Sequence, residues 1–419
     1  MSNEKLGVAI DIGTTTVAMH LIDLATETRL ATKSGANAQI PHGADVTSRI
    51  RHCAQNGNEL LTTLIREQIS SMLIDACSQA GVQPDSVVYI SIAANTVMQH
   101  IVAGYSPVSL GVAPFDTVSL FGEELPAWKE LPVAKGTKIH YTPAISAYVG
   151  GDVTAGLLAA GFEDITHPAL FIDIGTNGEM VLKHEGTYYC CATAAGPAFE
   201  GAEIAMGMAA EPGAIDHVSL KQADASSASS EDSTPPQLNF STIGGGKPTG
   251  LCGSGLLDIL AVMLETGDVD ETGRLLGNDK FWISKEDDVY ITAGDVRKLQ
   301  LAKAAIAAGI QVLLRFARLT IEDVKSLALA GGFGSYMDLQ SAARIGLFPK
   351  SLLPDAKALG NTAGEGAVLA VNSEDVRERL KKIRADCEYV ELSSIAFFND
   401  KFVEQMAFED PSGSERQGN

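Results

Sequence analysis

Val8-Ala9-Ile10-Asp11-Ile12-Gly13-Thr14-Thr15-Thr16 recurs, in altered form, as Leu170-Phe171-Ile172-Asp173-Ile174-Gly175-Thr176-Asn177-Gly178. Each stretch is an apolar strand that ends in an aspartate and runs into a Gly-Thr turn. The two aspartates stand 162 residues apart, about one domain's length. A carboxylate at a strand tip, followed by a glycine that frees backbone N–H groups, suits a metal-bound phosphate. Taken singly, Asp-x-Gly-Thr equally describes a tight hairpin; the second copy favours function. Two such hairpins facing each other predict a grip on a nucleotide triphosphate from both sides.

Working outward, 419 residues exceed the usual size of one core, so two or more domains are expected. The formal net charge of −21 opposes a DNA or RNA partner, which would need clustered lysine and arginine. Simple solubility explains the same acidity. Residues 2–5 are polar and lead straight into the first strand, and no apolar run approaches the roughly 20 residues that span a bilayer. A cytoplasmic chain without a membrane partner is expected. Six cysteines, at 53, 77, 190, 191, 252 and 387, form no C-x-x-C or C-x-C arrangement. That argues against an intrinsic zinc site or iron–sulfur cluster and for free thiols.

Residues 6–23 read as a hairpin, and apolar positions at a period of 3.6 predict a helix over 59–80, closed by Gly81 and Pro84. Val87–Ala93 reads as a buried strand, and Asn95 caps a helix through about Ala103. Residues 105–140 look like an irregular excursion, and 144–161 are expected to be one helix linking the halves. Further helices are expected over 251–265 and 294–316, with a buried strand at Leu327–Ala330. Residues 222–237 are rich in Ser, Ala, Asp and Pro and read as a flexible insertion. The expected division is 1–165, 166–408 and a disordered tail over 409–419. Strands alternating with helices indicate an α/β protein with two related halves.

Several positions carry chemistry in this pattern. Asp11 and Asp173 are the candidate magnesium ligands and catalytic carboxylates, with Gly13, Thr14, Thr15 and Thr16 and then Gly175, Thr176 and Asn177 as phosphate contacts. Asp152, behind Gly150-Gly151, is the candidate for orienting or deprotonating an attacking water, or else a helix N-cap. Gly253 and Ser254 open a helix whose amides favour an anion, unless the turn is purely structural. Gln300 and Lys303, three apart on one helix face, suit a ribose and an adenine, or else mark a solvated face. Gly331, Gly332, Phe333 and Gly334 let a nucleoside pack flat against side-chain-free backbone, or form a plain strand–helix turn. No Gly-x-x-x-x-Gly-Lys-Ser/Thr loop occurs, which excludes a P-loop ATPase.

Two phosphate hairpins, an acidic linking helix and a Gly-Gly-Phe-Gly turn, in this order, resemble the acetate and sugar kinase, heat-shock chaperone and actin superfamily. The closer resemblance, over nearly the whole chain, is to the ATPase region of the reductive activators of corrinoid proteins. It rests on Gly196-Pro197-Ala198-Phe199-Glu200-Gly201-Ala202, Thr249–Leu256, Leu301–Ile306, Leu329–Tyr336 and Gly360-Asn361-Thr362-Ala363-Gly364-Glu365-Gly366-Ala367. The resemblance implies a duplicated ribonuclease-H-like, actin/hexokinase-type fold with a nucleotide cleft between its domains. It also implies ATP and Mg²⁺ as cofactors, a corrinoid protein or corrinoid methyltransferase as partner, and a possible homodimer. ATP would assist the reduction of Co(II) to Co(I). With no cysteine cluster, a separate ferredoxin or flavodoxin is the expected electron donor. Cys252 resembles one cluster ligand of the acyl-CoA dehydratase activators, but no second cysteine follows until Cys387. The alternatives are a small-molecule kinase of the same superfamily and a nucleotide-gated scaffold without turnover.

Overall fold

The computed structural model describes residues 5–221, 237–332 and 337–409. The chain begins with strands β1 (Leu6–Ile12), β2 (Thr16–Asp23) and β3 (Thr28–Ala36), then helices α1 (Val46–Asn56) and α2 (Glu59–Ala80). Strand β4 (Val87–Ala94), helix α3 (Thr96–Ala103), short strands β5 (Glu124–Pro126) and β6 (Lys138–Tyr141), and helix α4 (Gly151–Ala159) follow. The second half opens with β7 (Ala169–Ile174), β8 (Gly178–His184) and β9 (Thr187–Thr193), then β10 (Ala214–Leu220), β11 (Leu238–Thr242) and β12 (Gly250–Leu251). Helix α5 (Gly253–Thr266), strands β13 (Lys280–Ser284) and β14 (Val289–Thr292), helix α6 (Ala293–Ala317), strand β15 (Ser326–Ala330) and helix α7 (Leu339–Arg344) continue it. The chain closes with β16 (Ala356–Gly360), α8 (Thr362–Asn372), α9 (Glu374–Ala385), β17 (Cys387–Tyr389) and α10 (Ala396–Glu404).

The repeated motif is repeated architecture. One sheet runs β3-β2-β1-β4-β6-β5 and the other β16-β15-β7-β8-β9-β17. Read from the third strand of each half, β3-β2-β1-β4-β6 and β9-β8-β7-β15-β16 share one order. In both, the motif strand pairs in parallel with the strand that follows the crossover, β1 with β4 and β7 with β15. Parallel strands at a sheet's centre are covered on both faces and read as unbroken apolar runs. Within β1 every residue is buried except Asp11, and within β7 every residue except Asp173. The sequence places one carboxylate at the end of each run, and the sheets leave only that residue partly accessible.

The chain forms two compact units, one of residues 1–167, 183–191 and 361–390, the other of 168–182, 192–360 and 391–419. This departs from the contiguous boundaries expected from the sequence, because α8 and α9 return to the first unit. The cause is small side chains. Ala363 and Ala367 of α8, with Val371, join Ala9, Ile22, Ala93 and Ala155 in one cluster. Gly366 sits so close to α4 that an added Cβ would lie 2.1 Å from the Ala155 carbonyl oxygen. Helices lacking side chains at the crossing approach to backbone contact and bury the sheet face beneath them.

Other expectations need smaller amendments. The excursion over 105–140 is largely irregular, but Lys138–Tyr141 pairs in parallel with β4 and is a true strand of the first sheet. The linking helix starts at Gly151, not at 144. Residues 144–150 instead form a turn in which the Ile145 and Ser146 N–H groups both donate to the Val149 carbonyl. Helix α7 begins at Leu339, with Asp338 as N-cap. Helix α6 is long and apolar enough to cross a membrane by composition, yet it is a core helix, its apolar stretch 78% buried. The insertion at 222–236 and the tail from 410 lie outside the described residues, as do Phe333 and Gly334. Glu409, placed in the tail by sequence, is held by Lys350 at 2.7 Å.

Candidate functional site

In the first unit, β1 delivers Asp11 to the start of the Gly13–Thr16 turn, closed by the Gly13 N–H donating to the Thr16 carbonyl at 2.9 Å. Helix α4 brings Asp152 beside it, close enough for the two charges to repel. The Asp152 carboxylate accepts from the Val153 N–H at 2.9 Å, while the Asn361 amide donates to Asp11 Oδ2 at 2.8 Å. Burial first, and then repulsion by Asp152, pushes the Asp11 carboxyl up to about 7, against the lowering effect of Asn361. Burial likewise raises Asp152 to about 6, against backbone N–H donation. Among the described residues, no cationic side chain contributes to either carboxyl. Two neighbouring carboxylates short of positive charge are a hard-oxygen donor set, and a divalent cation fits them.

The turn itself is held from several directions. Asn37 donates to the Gly13 carbonyl at 2.9 Å, Arg49 to the Thr14 carbonyl at 2.5 Å, and Asn95 to the Thr14 hydroxyl at 3.2 Å. Sequence reasoning did not select Asn37, Arg49, Asn95 or Asn361. Asn361 lies 350 residues from Asp11, so no local pattern links them. In the sequence it stands only within the 360–367 stretch that carries the resemblance; in the structure it caps α8, accepting from the Gly364 N–H at 2.8 Å. That cap fixes the amide so that its Nδ2 faces Asp11. Asn361→Ala should therefore lower turnover at this site by about tenfold with a smaller change in KM, because it disorients Asp11 and leaves that carboxylate without its donor. Steady-state kinetics that show turnover unchanged would remove Asn361 from the site.

In the second unit, β7 delivers Asp173 to the Gly175–Asn177 turn, where the Gly175 N–H donates to the Asn177 carbonyl at 2.9 Å. Parallel pairing with β15 sets Ala330 opposite Asp173. Gly331 follows with φ +97°, and an added Cβ there would meet the Ile174 carbonyl oxygen at 2.4 Å and Asp173 Oδ1 at 2.7 Å. The structure thus brings Gly331 against Asp173, and glycine is required by both conformation and space. The Thr176 hydroxyl donates to the Glu200 carboxylate at 3.1 Å. Glu200, in the Gly196–Ala202 stretch, was given no role by sequence reasoning.

The remaining candidates fare differently. Ser254 is buried in the first turn of α5, its hydroxyl 3.4 Å from Cys252 Sγ, and Gly253 beside it is buried too. Gln300 and Lys303 are neither a solvated face nor free for a nucleoside. The Gln300 amide donates to the Thr272 and Met406 carbonyls at 2.9 and 2.6 Å, and Lys303 to the Ala407 carbonyl at 2.7 Å. The Lys303 ammonium also lies 4.8 Å from the Phe408 ring centre. Burial pushes it down to about 8, with Glu409 offsetting part of the fall. Their common face, read correctly as shared, anchors the C-terminal segment. Cys252 is buried, and among the described residues no group of three or more His, Cys, Asp or Glu is placed to hold a metal.

With this geometry in hand, comparison with known proteins is specific. Residues 6–165 match the family described as the RACo middle region, and residues 167–414 match the C-terminal domain of RACo, its ASKHA domain. The corrinoid activation enzyme RamQ of Eubacterium limosum is 31% identical over 96% of this chain and 70% of its own length. The [Co(II) methylated amine-specific corrinoid protein] reductase of Methanosarcina barkeri is 26% identical, over 96% and 77%. A solved structure of a reductive activator for a corrinoid, iron–sulfur protein superimposes with a TM-score of 0.86 at 34% identity. That match covers 97% of this chain and 67% of that one.

Proposed function

We propose, from the premise that this chain belongs to the RACo family of ASKHA-fold activators, that it uses ATP to drive reduction of a partner's corrinoid from Co(II) to Co(I). The observation that carries this reading is the family match running through both halves, 6–165 and 167–414, each containing one acidic phosphate turn. The nucleotide is taken as Mg-ATP. Asp11 with Asp152 beside it, and Asp173, are the residues that would hold magnesium; bound there, it would neutralise charge developing on the transferred phosphoryl group. Asp152 orients the attacking water, with Glu200 and Thr176 as a second hydrogen-bonding pair in reach of the Asp173 turn. A corrinoid protein or corrinoid methyltransferase is the partner, a separate ferredoxin or flavodoxin the electron donor, and a cytoplasmic homodimer the working form.

Energetics define what the nucleotide must supply. Shifting a two-state equilibrium by about 10⁴ requires ~5.5 kcal/mol. At ~59 mV per tenfold for one electron, the same shift is worth roughly 240 mV of apparent potential. A nucleotide-driven change that alters cobalt ligation in the partner supplies this without a redox centre in the ATPase. The test combines this chain, its Co(II) partner and a reduced donor, and follows the Co(I) absorption band. Growth of the band that requires ATP is expected. If the band grows equally without ATP, or not at all with it, the reading fails.

A further inference from the structure

Arg49 is 0% exposed, and among the described residues its hydrogen bonds go to neutral acceptors. Its Nε donates to the Gly43 carbonyl at 3.0 Å, Nη1 to the Gln39 side-chain oxygen at 3.0 Å and to Met98 Sδ, and Nη2 to the Thr14 carbonyl at 2.5 Å. Among the described residues no carboxylate forms an ion pair with it; Asp45, the N-cap of its own helix, contributes only at a distance. A buried cation without a paired anion is costly, and such charges persist where something else compensates them.

The backbone above Arg49 indicates what does. Three consecutive carbonyls of the first phosphate turn are bonded: Gly13 to the Asn37 side chain, Thr14 to Arg49, and Thr15 to the Asn37 N–H at 2.8 Å. In a planar trans peptide the C=O and the following N–H point in opposite directions. Fixing the Gly13 and Thr14 carbonyls toward Asn37 and Arg49 therefore turns the Thr14 and Thr15 N–H groups the other way, as an anion-binding concavity requires. A guanidinium behind the same peptides adds its field to their dipoles.

We infer that Arg49 is a positioning residue for the nucleotide: a fixed positive charge beneath the first phosphate turn that orients its amides and selects phosphorylated ligands over the bare nucleoside. The inference rests on the nucleotide reading proposed above and adds to it the source of phosphate selectivity. The selected group is the polyphosphate of a nucleotide, and its negative charge compensates the buried guanidinium.

The test measures binding of Mg-ATP, Mg-ADP and adenosine by calorimetry to the wild-type chain, R49M and R49K. In R49M the affinity for Mg-ATP should fall about tenfold to a hundredfold, with Mg-ADP losing less and adenosine changing by no more than about twofold. R49K keeps the charge while losing the fork, so its ATP-over-adenosine ratio should stay within about threefold of wild type. An R49M protein that loses ATP and adenosine affinity equally, or loses neither, makes Arg49 a scaffold residue and overturns the inference alone. So does a collapsed ratio in R49K, which also decides the matter if R49M does not fold. A wild-type chain that binds no Mg-ATP overturns the functional reading together with the inference.

Discussion

Asp11→Asn is expected to abolish ATP-dependent Co(I) formation and to lower ATP turnover by about a hundredfold to a thousandfold, through loss of a charge that acts on the transferring phosphoryl group. The substitution is nearly isosteric, so β1 and its pairing with β4 should persist. What it removes is one of two carboxylates that repel each other in the first unit. That makes a second, independent readout available. The folded Asp11 carboxyl sits near 7, above its ordinary value of 3.8, so between those values the folded state holds more protons than the unfolded one. Stability from this group is full below about pH 4 and is lost as pH rises toward and through 7. Asp11→Asn should therefore flatten the decline in metal-free stability over that range and melt higher than wild type at pH 8. Magnesium should raise the melting temperature of wild type at pH 8 and raise that of the variant less. A variant with wild-type turnover would separate Asp11 from catalysis, and one with unchanged pH dependence would separate it from Asp152.

Gly366→Val should disrupt the first unit more than any substitution at an exposed position. Its Cβ would lie 2.1, 2.5 and 2.7 Å from the carbonyl oxygen, carbonyl carbon and Cα of Ala155, all backbone atoms of α4 that no rotamer change can move aside. The helices must separate, opening the layer of Ala363, Ala367 and Val371 over β1 and β4. A cost on the order of 3 kcal/mol or more is expected, at the upper end for overpacking. Gly246→Ala is the matched control, because nothing lies within 4 Å of its added Cβ and its backbone is extended with φ −90°. It should change stability by no more than about 0.5 kcal/mol. Amide exchange resolved by segment should show α4, α8 and β1 losing protection in the valine variant alone. A Gly366→Val protein that melts with wild type would contradict the close crossing of α4 and α8.

The two predictions draw on different kinds of information. The pattern at Asp11 was legible before any coordinates, because a buried strand ending in one polar residue is a local signal. Period and capping placed α2, α3, α5, α6 and β15 within a few residues of their observed bounds for the same reason. The start of α4 is not legible in the sequence because Ala144, Ile145, Ala147 and Tyr148 fit helical spacing, while the turn over 144–150 is decided by a local hydrogen-bond pattern around Val149. Gln300 and Lys303 were read as one face, which they are. Which group that face meets depends on Met406 and Ala407, more than 100 residues away.

By itself, then, the sequence determined the duplicated strand–turn, the order of helices and strands, and the residue type at the tip of each central strand, since period, capping and glycine placement act over a few neighbouring residues. Only the tertiary structure decided that 361–390 packs with the first unit, that Asn361 bonds Asp11, that Gly331 abuts Asp173, and that the Arg49 guanidinium lies beneath Thr14. Each of those depends on which small residues let two backbones touch and which buried polar atoms find partners far along the chain, from 35 residues away for Arg49 and Thr14 to 350 for Asn361 and Asp11. Such long-range choices are settled by packing and desolvation in the folded chain, where no local pattern reaches.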